Sequence, residues 1–302
     1  MWQKVNFIAR VLQIGKLIHL VLIGMFLISC SNQGTEWKML LDQDLSDWDT
    51  YLSYRHKLGY NGEIPKDSEG NDIAPIGLNP EGYDVFSVIK HDDEKILKVS
   101  GEIYGCIISK EEYANYHLKL KVKWGDNKFE PRRNLLKDSG ILYHSIGEYG
   151  AEYWRTWMLS QELQIMEGHM GDYWSQLTSA IDIKAYLPEY IMNPVADESQ
   201  AFLPMGQGEQ IPGFCLRSAN YEKASGEWNT IELICFEDKS VHVVNGHVVM
   251  ILQNSRYIDN GQTRPLTNGK IQIQSEAAEV YYKEIAIRHL DQMPSQYVHF
   301  FN

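Results

Sequence analysis

The chain has 302 residues, a formal net charge of −12 and 44% hydrophobic residues, enough for one large domain or two smaller ones. No Lys/Arg cluster interrupts the acidic balance, which excludes a phosphate backbone, and so nucleic acid, as a partner. Abundant Tyr and Trp in short alternating runs, with no amphipathic pattern kept up over helical lengths, point to β structure.

In chain order the first element is a targeting segment. Lys4, Arg10 and Lys16 form a basic leader, and the apolar run Leu17 to Ile28 is too short for an ordinary membrane span. It ends in Leu27-Ile28-Ser29-Cys30, which resembles a bacterial lipobox. That resemblance implies a signal peptide over residues 1–29, cleavage before Cys30 and lipidation of its thiol; the alternative is an uncleaved signal-anchor helix. Residues 30–36 are then the lipidated cysteine and a tether, and a bacterial membrane, periplasmic or at the cell surface, is touched only through the lipid. Loss of the three basic leader residues takes the net charge from −12 to −15, which argues against adhesion of the domain itself to anionic lipid. Cys106, Cys215 and Cys235 remain, an odd number at wide spacings. Cys106 and Cys235 read as small buried hydrophobes; one disulfide is compatible with an oxidising compartment, and nothing nearby would activate a nucleophilic thiol.

The domain spans residues 37–290, with 291–302 as a C-terminal tail. Trp37 to Leu41 opens it as a strand, and the Gly-, Asn-, Asp- and Pro-rich stretch from Ser53 to about Pro80 is a long loop of the kind that walls or caps a site. Val85 to Ile89 and Ile96 to Ser100 form a strand pair, and Tyr104 to Ser109 a further strand. His117 to Trp124 alternates apolar residues with Lys119, Lys121 and Lys123, giving either a solvated sheet face or a substrate-binding role for Lys121. Asp126 to Asp138 is a charged loop, and Ser139 to His144 a strand. Ser175 to Pro212 reads as a short helix or two within loops. Gly226 to Phe236, a hairpin around Asn245-Gly246, Gly269 to Gln274 and Val280 to Ile287 complete roughly a dozen strands. Without βαβ alternation, the arrangement is an antiparallel sandwich in one domain.

The densest chemistry lies between Trp157 and Trp174. Leu159, Leu163 and Ile165 share one strand face, and Ser160, Glu162 and Gln164 the other. Glu167 is five positions from Glu162 and needs one β-bulge to join it in a cleft. An exposed polar strand face is the alternative.

Leu45-Ser46-Asp47-Trp48, Asp138-Ser139-Gly140-Ile141, Glu162-Leu163-Gln164-Ile165, Gly226-Glu227-Trp228-Asn229, Asn245-Gly246 and the terminal Gly269-x-Ile271-x-Ile273-Gln274-Ser275-Glu276 occur in an order that resembles the 3-keto-disaccharide hydrolase family. The resemblance covers about Trp37 to His289. It implies an all-β, concanavalin-A-like jelly-roll sandwich of two antiparallel sheets with long loops, and an oligosaccharide or glycoside substrate. Glycosidases of the same architecture carry E-x-D-x-x-E on their catalytic strand. Here Glu162-x-Gln164-x-x-Glu167 has Gln in the middle place, and an amide orients a carboxylate without sharing its charge or proton. His144 stands where the family often has Arg, and Lys283-Glu284 replaces its usual Arg-Asn.

A sugar ketone at C3 acidifies the C2 proton, so a base can remove it, the C1 oxygen can leave by β-elimination, and water can then add. The resemblance therefore asks for a base, an acid and enolate stabilisation. Glu162 and Glu167 are the expected acid–base pair in either order, with Gln164 orienting them and His144 as carbonyl polariser or base. His144, Glu162, Glu167, His169 and Asp172 are also candidate ligands for a divalent cation. Trp157, Trp174, Asp172 and Glu276 are candidates for substrate binding. The rival readings are a conventional glycoside hydrolase using Glu162 and Glu167, and a glycan-binding lipoprotein without catalysis.

Overall fold

The computed structural model describes residues 36–302, so the leader and the expected lipidation site Cys30 lie outside the described residues. Among the described residues twenty strands follow one another. They begin with β1 (Lys38–Met39), β2 (Trp48–Leu52), β3 (Gly77–Leu78), β4 (Phe86–His91), β5 (Glu94–Val99), β6 (Gly105–Ser109) and β7 (Tyr116–Lys128). The strands that carry most of the chemistry are β8 (Asp138–Ile146), β9 (Leu159–Met166) and β10 (Tyr173–Gln176). After them come β11 (Ser179–Tyr186), β12 (Val195–Ala196), β13 (Phe202–Gly206), β14 (Phe214–Cys215), β15 (Asn229–Phe236), β16 (Lys239–Val244) and β17 (His247–Asp259). The last elements are β18 (Gln262–Pro265), β19 (Lys270–Ser275), β20 (Ala278–His289), a short helix, α1 (Ser295–Val298), and a 3-10 turn over His299–Phe301.

Two antiparallel sheets stack face to face as a jelly-roll sandwich. One runs β12-β11-β17-β16-β15-β7-β20-β5-β4, with β1, β13 and β18 on its edges; the other runs β14-β10-β9-β8-β19-β6-β2-β3. Period-two alternation explains the layering. Leu118, Leu120 and Val122 of β7 and Val280 and Tyr282 of β20 meet Ile141, Leu163, Ile165 and Ile273 of the opposite sheet in one core. Each of these leaves its even- or odd-numbered neighbours for the outside. The β16–β17 hairpin turns at Asn245 (φ 49°) and Gly246 (φ 82°), the two positive φ angles of a type I′ turn.

One expectation changes. The stretch from Ser175 to Pro212 contains no helix; it supplies the antiparallel pairs of β11 with β13 and β17, and Tyr173, Ile181, Ile183 and Met205 form a second apolar cluster there. Its prolines fall at edges and bends, where no ladder donor is lost. In the C-terminal tail, residues 291–302, Tyr297 and Phe300 bury against Ile234, Val241 and Ile251. Cys106, Cys215 and Cys235 are all buried and free.

Candidate active site

The outer face of the eight-stranded sheet follows from register. Gly140 of β8 pairs with Gln164 of β9, Leu142 with Glu162, and Asp138 with Met166. On the other side of β8, Gln272 pairs with Leu142, and Asp138 bridges Glu276 just past β19. Trp174 of β10 lies opposite Glu162. Directly opposed residues point the same way, so Asp138, Glu162, Gln164, Trp174, Gln274 and Glu276 share one face.

They line a cavity of about 510 Å³, a size suited to a small ligand. Arg132, from the charged loop before β8, and Glu152, Tyr153, Trp154 and Trp157, from the loop before β9, complete its walls. A second cavity, about 400 Å³ between β11, β12 and β17, is lined by Lys184, Asp197 and Glu198. None of its lining residues holds a buried polar side-chain atom without a partner.

The carboxyl of Glu162 is 2% exposed, and burial raises its pKa to about 8; the nearby charge of Glu276 adds to this and a hydrogen bond from Gln176 opposes it. Gln176 Nε2 donates to Glu162 Oε2 at 2.5 Å. Gly140 lies directly beneath. A Cβ there would overlap both Glu162 Oε1 and Gln274 Oε1, so the missing side chain is what lets these two groups lie across the strand.

Asp138 and Glu276 sit beside a single cation, Arg132. Its Nη2 and Nε reach Glu276 Oε1 at 2.9 and 3.2 Å, and Nη2 also pairs with Asp138 Oδ2. Burial and the Glu276 charge raise the Asp138 carboxyl well above the usual range against the pull of Arg132. Arg132 itself stays protonated: burial disfavours its charge, but Glu276 and Asp138 more than offset that. Glu152 is raised to about 7 by burial, although the N–H groups of Trp154, Thr156 and Trp157 donate to it at 2.5, 2.7 and 3.1 Å. Asp138 Oδ1, Gln164 Oε1 and Gln274 Oε1 are buried without a hydrogen-bond donor. The amide oxygens of Gln164 and Gln274 can only accept, so this cavity floor is complementary to hydroxyl donors.

Of the residues singled out in the sequence, Glu162, Gln164, Glu276, Trp157 and Trp174 are brought together here. Trp174 is 40% exposed at the mouth, its ring 4.3 Å from that of Phe214, whereas Trp157 is 1% exposed in the wall. The remaining candidates are elsewhere. Glu167 does not join Glu162: β9 runs to Met166 without a bulge, the chain then turns at Gly168, and Glu167 faces Lys137 at 3.7 Å. The acidic neighbours of Glu162 are instead Asp138 on the adjacent strand β8, Glu276 just past β19, one strand further on, and Glu152 in the loop before β9.

His144 leaves the outer face because a register shift follows Tyr143 and its own φ is 54°, which turns the side chain into the core. Its Nδ1 bonds the Leu266 carbonyl at 3.0 Å, its ring packs against Tyr116 and Tyr143, and burial lowers its pKa to about 4. Asp172 and His169 form a turn clamp in which Asp172 bonds His169 Nδ1 at 3.0 Å and Arg217 Nη1 at 2.9 Å. The proposed ligands His144, Glu162, Glu167 and His169 therefore do not converge, and among the described residues no group of three His, Cys, Asp or Glu side chains has cation-binding geometry. Lys121 is on the other sheet, paired with Glu284 at 2.6 Å. Arg132 and Glu152 were missed. Arg132 carried a faint signal, as one of two adjacent arginines in an acidic chain, and Glu152 was marked only by the aromatics that follow it.

No curated protein matches the chain in sequence. Among solved structures, two Parabacteroides distasonis proteins described as candidate glycosyl hydrolases are similar to it. One is 18% identical over 85% of this chain and 100% of its own, with a TM-score of 0.44; the other is 16% identical over 84% and 94%, with a TM-score of 0.45. A carbohydrate-binding module from Bacillus subtilis is 8% identical over 67% of this chain and 91% of its own, with a TM-score of 0.37. The family model for the 3-keto-alpha-glucoside-1,2-lyase-like domain matches residues 36–288, and the chain belongs to that family.

Proposed function

We propose that this protein is an enzyme that cleaves glycosides whose sugar carries a ketone at C3. The observation that carries the reading is Glu162, a buried carboxyl that keeps its proton at neutral pH on the floor of a sugar-sized cavity. Glu276, held by Arg132, is the base that takes the C2 proton. The C2–H electron pair becomes an enolate on C2, C3 and the ketone oxygen, near the Arg132 guanidinium. Its collapse forms the C1=C2 bond and breaks the C1–O bond, and the departing oxygen takes the proton of Glu162. Water then adds across C1=C2 to give the free 3-keto sugar. The unpaired oxygens of Gln164 and Gln274 accept hydrogen bonds from ring hydroxyls, and the Trp174 ring offers an apolar platform. In this reading a lipid on Cys30 holds the domain at a bacterial membrane.

The test is incubation of the purified domain with a 3-keto-disaccharide in deuterated water. A released sugar and a product that carries deuterium at C2 are the expected outcome. Unchanged substrate, or cleavage of the unoxidised disaccharide at an equal rate, would refute it.

A further inference from the structure

The long loop after β2 builds a cavity of its own. Residues between Tyr54 and Ile73 enclose about 510 Å³, with Tyr54, His56, Tyr60 and Ile64 among the lining. The loop is tied shut and tied to the active-site wall. Tyr54 donates its hydroxyl to the Ile73 carbonyl at 3.0 Å. Tyr60 and Tyr153 exchange hydroxyl-to-carbonyl bonds at 3.0 and 3.2 Å, and Arg155 Nη2 reaches the Gly62 carbonyl at 3.2 Å. Tyr60 stacks on Trp154 with centroids 5.2 Å apart and planes 23° from parallel. Trp154 lines the carboxylate cavity and Tyr60 lines the loop cavity, so one aromatic pair forms part of both walls.

His56 supplies the feature that points to a ligand. Its Nε2 lies 2.9 Å from the Trp154 carbonyl, which can only accept, so Nε2 carries the hydrogen. Burial lowers its pKa to about 4, against the pull of that same hydrogen bond, so the ring is neutral and Nδ1 is a bare acceptor. The residue is 5% exposed, and Nδ1 has no donor. A buried acceptor left unpaired is destabilising, because its lost hydration is not replaced. A hydroxyl-bearing ligand in this cavity would satisfy it.

We propose that the loop cavity is a second glycosyl subsite, which takes a further sugar unit of an oligosaccharide whose 3-keto unit occupies the carboxylate cavity, with His56 Nδ1 accepting a bond from a ring hydroxyl. This rests on the reading of the carboxylate cavity given above. Tyr54 and Tyr60 line the same cavity and give it an aromatic wall.

The experiment is calorimetric binding of unoxidised α- and β-linked gluco-oligosaccharides of two to five units, which needs no turnover and so fails separately from the cleavage assay. One added unit should tighten binding to the wild-type protein roughly fivefold to tenfold, the worth of one hydrogen bond with some ring contact. His56→Phe, which keeps an aromatic ring but no acceptor, should remove most of that step. Ile64→Trp, at an exposed lining position, should remove it by filling the cavity even if His56→Phe folds poorly. Affinity independent of chain length, absence of binding to any member of the series, or a step that survives both substitutions would overturn the proposal.

Discussion

The two sheets carry charge on their outer faces in opposite ways. On the twelve-stranded sheet several carboxylates each meet a basic partner: Glu284 with Lys121 at 2.6 Å, Glu94 with Lys283 at 2.5 Å, Glu232 with His117 at 2.8 Å. Glu94 and Glu232 are lowered, each chiefly by the hydrogen bond from that partner. On the eight-stranded sheet Asp138, Glu152, Glu162 and Glu276 line one cavity with Arg132 as the one cation among its lining residues. Glu162, Glu152 and Asp138 are raised, each chiefly by burial. The contrast shows that hydration and the ratio of cations to carboxylates decide whether an acidic sheet face is a soluble surface or a store of protons. Each prediction below tests one side of it.

The largest effect is expected for Glu162→Gln. Loss of the proposed general acid should lower kcat by about 10²–10⁴ while the protein stays folded. The same carboxyl links stability to pH. Between its unfolded value near 4.3 and its folded value of about 8, the native state holds one proton more than the unfolded state. Unfolding free energy therefore falls as pH rises through that window, by up to ~1.4 kcal/mol per unit, and its contribution is gone above about 8. Urea titrations from pH 5 to 9 should show a shallower fall for Glu162→Gln; parallel curves would mean that Glu162 does not hold a proton in the native state.

Next is Arg132→Met. It leaves Asp138 and Glu276 buried without their cation, which should cost about 3–5 kcal/mol at pH 8. Part of the loss should return at pH 5, because burial raises the Asp138 carboxyl and so favours its protonated form as the pH falls. Denaturation at both pH values measures it, and a change below 1 kcal/mol would place these groups in water.

The sequence carried one half of this comparison well and the other poorly. Alternation within a single segment set the faces of β7 and β9, so the Lys119–Lys121–Lys123 face and the common orientation of Glu162 and Gln164 were legible before any coordinates. What surrounds Glu162 depends on which strands lie next to β9 and next but one, and β19, beyond β8 in the sheet, is distant from both in sequence. Glu167 looked like its partner because it was near in the chain, whereas Asp138 and Glu276 are near through the ladder. Glu276 was picked out only as a substrate contact and Asp138 only as part of a motif. His144 failed for a different reason: one left-handed residue at a register shift reverses a side chain, and a histidine in a strand-like run gives no warning of it. Arg132 and Glu152 come from loops, where no period relates sequence to direction.

A smaller effect tests how tightly the proton store is packed. Gly140→Ala pushes a methyl into the space held by Glu162 and Gln274, and overpacking of this kind costs about 1–3 kcal/mol. Thermal melting and kcat should fall together, because the carboxyl must move to admit the methyl. A drop in melting temperature with full kcat would detach the position of Glu162 from catalysis.

The smallest change is predicted on the opposite face. Lys121→Met breaks the ion pair with Glu284, but the two side chains are 34% and 46% exposed, so water already screens the attraction. The expected cost is about 0–1 kcal/mol, reduced further at high salt, with kcat and KM unchanged. An altered KM for a glycoside would return Lys121 to the substrate side and end the division between the two sheets. If Lys121→Met is silent in both assays while Arg132→Met is not, then the number of cations alone is not what matters. The cation counts where carboxylates have lost their water, and on this protein that is the floor beneath Trp174 and not the lysine stripe.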